Sequence, residues 1–541
     1  MEDETLLMLK KIYINIILLS WALLFCKPVS AQDANKQSPK FYYDIHDYDR
    51  ALDAYLAIWH DKQTDMQVNF RIADCMLHVN GDRSKALPYL NYIYKHGNTD
   101  PEVIFMIGQA NMYAYAFDEA LKYFNLYKTK TVPKNIETAD LYIAYCNNAA
   151  EMVKHPLNVI FENLGKDINT KYPDYYPFVV EGDSTLYYTA RRETNTGNVT
   201  SWQGFYTSDI YVSRAVNGVF GKSKNLGTFV NTPEDEQCVY VSPNGKNMIM
   251  YIDNAKLKIY EDLFMTSADK GKAFPKPTPF EDPVNTDFAE LEGCISSNLG
   301  MMIISSDRPG GLGETDLYMV ERNGGDKWSK PVNLGPNVNT KYNESFPVFD
   351  ESTRTLYFAS DGLKSMGGYD LFKSLYDPKT KTFGPAVNLG YPVNTPEDNM
   401  VFSPAANKLD GYTSAYRPEG LGNLDIYKVV FKTRLSGTVG PEDTTASVEG
   451  TITLMSRSGI PMEVKELKGT NPEYSFLLSP GRYLLKAKIS GFPERIEEIV
   501  IDGQNKYVSE KNNTIIFRRP SEIAPAADPK GGKAKPPVHR K

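Results

Sequence analysis

The sequence predicts a multidomain chain: an all-α helical-repeat region, then a five-bladed β-propeller, then a small β-sandwich. Three observations predict it. Up to His155, apolar residues recur at three- and four-residue spacing and carry a period of 34 to 35 residues, from Ala51 to Ala86 to Ala120. A β-rich stretch then repeats one phrase, with its Asn at 169, 231, 285, 339 and 394. Near Thr433 the period stops and alternating strands continue without it.

The helical region is placed at residues 40–155. "DYDRALDAYLAIWH", "DRSKALPYLNYIYKHG" and "AFDEALKYFNLYKTK" superpose, with Ala51, Ala86 and Ala120 followed four places on by Tyr55, Leu90 and Phe124. A small residue lets two helices approach, and the bulky one a turn later fills the groove between them. Gly108 stands twelve positions before Ala120. This pattern resembles the tetratricopeptide repeat, whose solenoids hold partners or serve as packing platforms. Both roles stand open for this chain.

Residues 156–432 read as the propeller. Eighteen residues after each repeated Asn comes a strand-like run, at Tyr187, Ile249, Ile303, Tyr357 and Tyr412. Thirty-one residues after it, Asp316, Asp370 and Asp425 open strands of the form Asp-apolar-aromatic. In the first repeat the matching Asp209 comes nine residues late, after the insertion "TNTGNVTSWQGF". A unit of about 54 residues suits four strands of 5–6 residues and their turns, as in a propeller blade; a sixth blade built from the flanks is the alternative count. "NLGxxVNT" reads as a connector: Gly allows a tight turn, and Asn and Thr bond to nearby backbone. Residues 433–519, with "PGRY" and "SGF" turns, read as a seven-strand sandwich. Residues 520–541, rich in Pro, Ala and Lys (Lys530, Lys533, Lys535, Arg540, Lys541), read as a disordered basic tail.

Residues 1–31 read as a signal peptide. Lys10 and Lys11 precede the apolar run Ile12–Phe25, and Val29-Ser30-Ala31 offers small residues for cleavage. The run falls short of the roughly 20 residues that span a bilayer, and bulky Phe25 before Cys26 argues against a lipid anchor. Of the remaining thiols, Cys75 and Cys146 lie among helices and Cys238 and Cys294 among strands. Isolated buried thiols and a Cys238–Cys294 bridge both stand open.

The net charge of -7 excludes a nucleic-acid binder, which needs a basic face. His occurs only at 46, 60, 78, 96, 155 and 539, so the propeller and sandwich hold no His-based triad or zinc site. Carboxylates remain: Asp307, Asp361, Glu234, Glu290 and Glu344 are candidates by position for the paired-acid chemistry of glycosidases. They follow the repeat, as turn residues do, whereas an acid/base pair should break it. No Asp-rich loop spells a calcium ladder. The expectation is therefore a non-enzyme with no catalytic, cofactor-binding or metal residues. Trp202, Tyr206 and Trp328 are candidate sugar-stacking rings, with blade packing as their plainer role.

Taken together, the order of helical repeats, "SSDR…DLY" blades and a "GTV…PGRYLL…SGF" sandwich resembles PorE-like periplasmic proteins of the Bacteroidetes type IX secretion system. The blades resemble WD40-like PD40 repeats, and the sandwich is similar to the carboxypeptidase regulatory-like domain. The resemblance implies a periplasmic scaffold on the inner face of the outer membrane, touching a barrel protein of the PorP/SprF type and other secretion components. Such proteins usually carry an OmpA-like domain that binds peptidoglycan; here the sandwich is followed by the basic tail. The alternative expectation is a glycan-binding or glycan-processing propeller.

Overall fold

The computed structural model describes residues 37–180, 182–200, 205–254, 259–269, 271–322, 327–443 and 445–518. The expected signal peptide, Trp202 and the basic tail lie outside the described residues. The chain divides into two compact units, Met1–Val430 and Phe431–Lys541.

Seven α-helices precede the first described strand: α1 (Pro39–Asp44), α2 (Tyr48–Trp59), α3 (Met66–His78), α4 (Leu87–Lys95), α5 (Pro101–Tyr113), α6 (Phe117–Lys130) and α7 (Ile136–Lys154). Three of the starts are capped by side chains: Ser38 Oγ accepts from Phe41 N at 3.1 Å, Asp47 Oδ1 from Arg50 N at 3.1 Å, and Asp65 Oδ1 from Gln67 N and Val68 N at 2.9 and 3.1 Å. Ala51, Ala86 and Ala120 are fully buried, and Tyr55, Leu90 and Phe124 fill the seams beside them. Gly108 on α5 lies under the ring of Phe124 on α6, where a Cβ would come within 2.6 Å of a ring carbon. Gly108→Ala is accordingly expected to destabilise this seam by roughly 1–3 kcal/mol through overpacking. Thermal melting checks this, and adding Phe124→Leu should restore part of the loss; an unchanged melt for Gly108→Ala would contradict the close approach.

The expectation of a separate all-α repeat domain leading the chain is corrected. The described residues form thirty strands against seven α-helices, and the helices belong to the same compact unit as the first five sheets. The physical reason is their shared packing. Met366 of the fourth sheet's loop is fully buried in a cluster with Phe117, Phe124 and Tyr145 of α6 and α7. Asn148 donates to the carbonyl of Ser365 at 2.9 Å, and Arg83 pairs with Glu397 at 2.9 Å.

Five sheets follow, each a blade of a β-propeller-like ring. The inner strands of blades 1 to 4 begin at Asp174, Asp235, Gly293 and Glu344. Blade 5 consists of Ser403–Pro404, Gly411–Ala415 and Asp425–Phe431, and its outer strand is Val159–Asn163, the first strand after the helices. The ring is thus closed by two segments far apart in sequence, with Leu164 N donating to Ile426 O at 3.2 Å.

The repeated phrase is the lock between blades. Each Asn of "NT" lays its side-chain amide against one peptide of the adjacent third strand, accepting from the N–H and donating to the C=O. Asn169 pairs in this way with Ile426, Asn231 with Ile210, Asn285 with Leu263, Asn339 with Leu317 and Asn394 with Leu371, all at 2.8 to 3.1 Å. The amide completes a β-ladder where the backbone turns away, so each buried N–H and C=O is satisfied. Gly335 in "NLG" takes φ 78°, a conformation glycine adopts freely, and its N–H donates to Asn333 Oδ1 at 2.8 Å.

In the second unit, Glu473–Leu478 and Thr433–Pro441 form one sheet with Glu510–Asn512 and Ile515–Phe517. Pro461–Thr470, Ser447–Ser456, Gly481–Ile489 and Arg495–Ile501 form the other. Leu435, Ile452, Leu485, Phe476 and Ile515 are buried in one core. Eight strand segments stand where seven strands were expected. The last two run parallel along the same partner, Thr433–Pro441, and are one strand interrupted near Asn513.

Among the described residues, no helix is long and apolar enough to cross a membrane.

Candidate functional site

Propeller loops alternate between two ends of the ring. One end carries the blade-to-blade corners and the turns from second to third strand; it is called the corner face below. Four of the carboxylates singled out from sequence, Asp307, Asp361, Glu290 and Glu344, make their contacts at its corners. Glu290 accepts from Thr286 N and Oγ1 at 2.8 and 3.0 Å, from Ser306 Oγ at 2.6 Å and from Arg308 Nη2 at 2.9 Å. Glu344 accepts from Thr340 N and Oγ1 at 2.7 and 2.8 Å and from Ser360 Oγ at 2.7 Å. Burial pushes the Glu344 carboxyl up to about 7, against the pull of these donors. Asp307 holds Ala289 N at 2.8 Å, and its counterpart Asp361 holds Asn343 N at 2.7 Å. Burial likewise lifts Asp361 to about 6. Glu234 donates its N–H to Thr232 Oγ1 at 3.2 Å. The five serve three corners: Glu234 at blade 2, Glu290 with Asp307 at blade 3, and Glu344 with Asp361 at blade 4, where the charge of Asp361 adds to the lift on Glu344; all five make hydrogen bonds that hold the turns.

Glu292 is different, and sequence reasoning missed it. It stands seven residues after Asn285, where the other blades carry Tyr176, Cys238, Phe346 and Val401. It therefore breaks the repeat, which was the available signal. Ser305 Oγ donates to it at 2.7 Å, and burial is the first cause lifting its carboxyl to about 7. Nearby, the ring axis is filled with aromatic side chains. Tyr176 and Phe346 meet at 5.3 Å from opposite inner strands, both with positive φ at β-bulges. Tyr240 reaches across to Phe349 O at 3.4 Å.

The helices cover blades 4 and 5 on the corner face. Tyr145 donates to Asp361 O at 2.5 Å, Asn423 of blade 5 lies 3.4 Å from Asp49 of α2, and Lys341 pairs with Glu137 in the first turn of α7. A groove of about 510 Å³ runs between α7 and this corner, lined by Ile136, Asp140, Leu141, Ala144 and Tyr342.

Blade 1 presents a different corner. The rings of Tyr172 and Tyr206 meet at 5.5 Å and 87°, both partly exposed. Lys171 Nζ lies 4.9 Å from the centre of the Tyr172 ring, and the Tyr172 hydroxyl donates to Glu193 at 3.4 Å. Glu193 and Tyr206 flank the insertion that delays Asp209. Of the sequence-predicted rings among the described residues, Tyr206 joins this group and Trp328 does not. Trp328 lies beyond the third strand of blade 3, at its opposite end from the corners, against Phe280 at 6.5 Å and under the Arg322 guanidinium at 5.1 Å.

Cys238 and Cys294 are free and buried, as are Cys75 and Cys146, which settles the alternative of a Cys238–Cys294 bridge against it. No group of three or more His, Cys, Asp or Glu side chains among the described residues is placed to hold a metal ion.

No family model matches the chain, and no curated protein matches it. Similar solved structures include one described as a glycoside hydrolase, 7% identical, covering 52% of this chain and 94% of its own, with a TM-score of 0.35. An α-L-arabinofuranosidase from Lactobacillus brevis is 12% identical, covering 57% of this chain and 96% of its own, at 0.27. A puromycin-hydrolyzing peptidase from Mycobacterium tuberculosis is 10% identical, covering 64% of this chain and 55% of its own, at 0.26. Likeness at this level identifies no activity. The expectation of a non-enzyme is nonetheless corrected. It rested on carboxylates that follow the repeat, and Glu292 does not. The missing His-based constellations do not exclude enzymatic chemistry.

Proposed function

We propose that the propeller binds glycan, with the blade 1 corner as its platform. One observation carries this reading: two partly exposed rings set at right angles, beside Lys171 and Glu193, at the place where an insertion breaks the repeat. A sugar ring has an apolar face that lies against an aromatic ring and hydroxyls that pair with charged groups at its rim. Tyr172→Ala and Tyr206→Ala should each weaken glycan binding by about tenfold. Titration of glycan-array hits by calorimetry checks this, with Trp328→Ala as the variant expected to bind normally. A blank array with the intact protein would refute the reading.

A second reading concerns setting. The order of helices, propeller and sandwich, together with the groove along α7, supports a place in the periplasm beside an outer-membrane barrel of the PorP/SprF type, within a type IX secretion complex. Crosslinking in native envelopes, followed by mass spectrometry, tests it; recovery of no envelope partner counts against it.

A further inference from the structure

The triplet Thr-Lys-Tyr occurs at two corners of the ring, at 170–172 before blade 1 and at 340–342 before blade 4. The two copies match bond for bond. In each, the Thr N–H and hydroxyl bond the carboxylate four residues on, Asp174 at 2.7 and 2.9 Å and Glu344 at 2.7 and 2.8 Å. In each, the Tyr N–H returns to the Thr hydroxyl, at 3.2 and 3.0 Å. In each, the lysine ammonium lies 4.9 Å from the ring centre of its neighbouring tyrosine.

The copies differ in what the lysine holds. Lys341 takes the carboxylate of Glu137, with α7 seated against Tyr342. Lys171 is exposed, and among the described residues no carboxylate is in ion-pair contact with it. Arg192, the next cation on this blade, is spent on Asp174 at 2.5 Å. Blade 4 is therefore an internal picture of an occupied corner; at blade 1 Glu193 acts on Lys171 through its charge without an ion-pair contact, and the direct carboxylate seat is open.

We infer that the ligand of the blade 1 corner is a uronate-bearing glycan, its carboxylate bound by Lys171 and a sugar face set against Tyr172 or Tyr206. The inference rests on the glycan reading above. An acidic helix is the other occupant such a lysine could take. The second ring favours the sugar: the blade 4 corner seats α7 with no ring partner for Tyr342 among the described residues, whereas blade 1 adds Tyr206 perpendicular to Tyr172. Glu193, accepting from the Tyr172 hydroxyl, leaves oxygens at the rim for sugar hydroxyls.

The test uses the full chain with tetragalacturonate and with a neutral galactotetraose, in low and high salt. Tetragalacturonate should bind more tightly, and salt should weaken it selectively. Lys171→Gln should cut its affinity by about tenfold, the order expected for a charged hydrogen bond, and weaken the neutral sugar by clearly less. Lys341→Gln should alter neither. Equal affinities, unaffected by Lys171→Gln, would overturn the uronate inference and leave the glycan reading standing. Binding of neither sugar, with capture of a peptide spanning residues 133–154 that is lost in Lys171→Gln, would overturn both in favour of a helix seat.

Discussion

Replacing Asn394 by Ala is expected to cost the propeller roughly 3–5 kcal/mol. The side chain is fully buried, donates to Leu371 O at 2.9 Å and Asn388 Oδ1 at 2.8 Å, and accepts from Leu371 N at 2.8 Å. Alanine removes three hydrogen bonds and orphans the Leu371 N–H, while Leu371 O keeps Leu389 N at 2.9 Å and Asn388 Oδ1 keeps Gly390 N at 2.7 Å. The orphaned N–H costs about 1–3 kcal/mol and each of the other two lost bonds about 0.5–1.5 kcal/mol. Asn394→Asp tests the geometry more sharply. It keeps the shape and the acceptor but turns the donor into an oxygen facing two other oxygens, so it should be no better than alanine at neutral pH. Chemical denaturation monitored in the β-signal reads both. A loss below 1 kcal/mol for either variant would show that the amide is not completing the ladder.

Glu292→Gln should make the protein more stable, and only on the alkaline side. Burial lifts the folded carboxyl from its ordinary 4.5 to about 7. The folded state therefore holds this proton more tightly than the unfolded chain, and the stability linked to it is fully present below about pH 4 and lost as pH rises through 7. Glutamine keeps a partner for the Ser305 hydroxyl and carries no such titration. The two proteins should match near pH 4, and the variant should lead by up to about 3 kcal/mol at pH 8, the full value of a shift from 4.5 to 7. Glu236 and Glu344 are lifted the same way, to about 8 and about 7, and act equally in both proteins, so the difference isolates Glu292. Melting curves from pH 4 to 8 measure it. A variant less stable at pH 8 would mean that the carboxylate is paired when charged.

The repeat register was legible because each of its residues performs the same local task five times. Asn, Thr and the acid or amide five residues after the Asn bond within a few residues or to the adjoining strand, so spacing alone exposes them. The blade 1 corner was legible only in part. Tyr206 drew notice as a ring, but Lys171 and Tyr172 sit inside the repeated phrase and look like its other copy at Lys341. What separates them is the covering helix α7, a tertiary fact with no signature in the repeat. Glu292 left a sequence signal, being a charge at a position otherwise filled by Tyr, Cys, Phe and Val; its burial against the aromatic axis could come only from the closed ring. The independence assigned to the helices failed for the same reason. Periodicity reports how α5 meets α6 through Gly108 and Phe124, and is silent on Met366 entering their core.

The strand that closes the ring also sets a timetable for folding. Val159–Asn163 leaves the ribosome long before its partner, Asp425–Phe431, exists. At the usual 5–20 residues per second, the intervening stretch of about 260 residues takes roughly 13–50 s to make. As blades 1 to 4 emerge in that interval they form a growing open arc with two unsatisfied ends, the state in which sheet edges recruit neighbours. The helices come first in this schedule, but the blade 4 and blade 5 loops they pack against come last. The nascent chain therefore carries two waiting surfaces, which are covered when a single late stretch of sequence arrives.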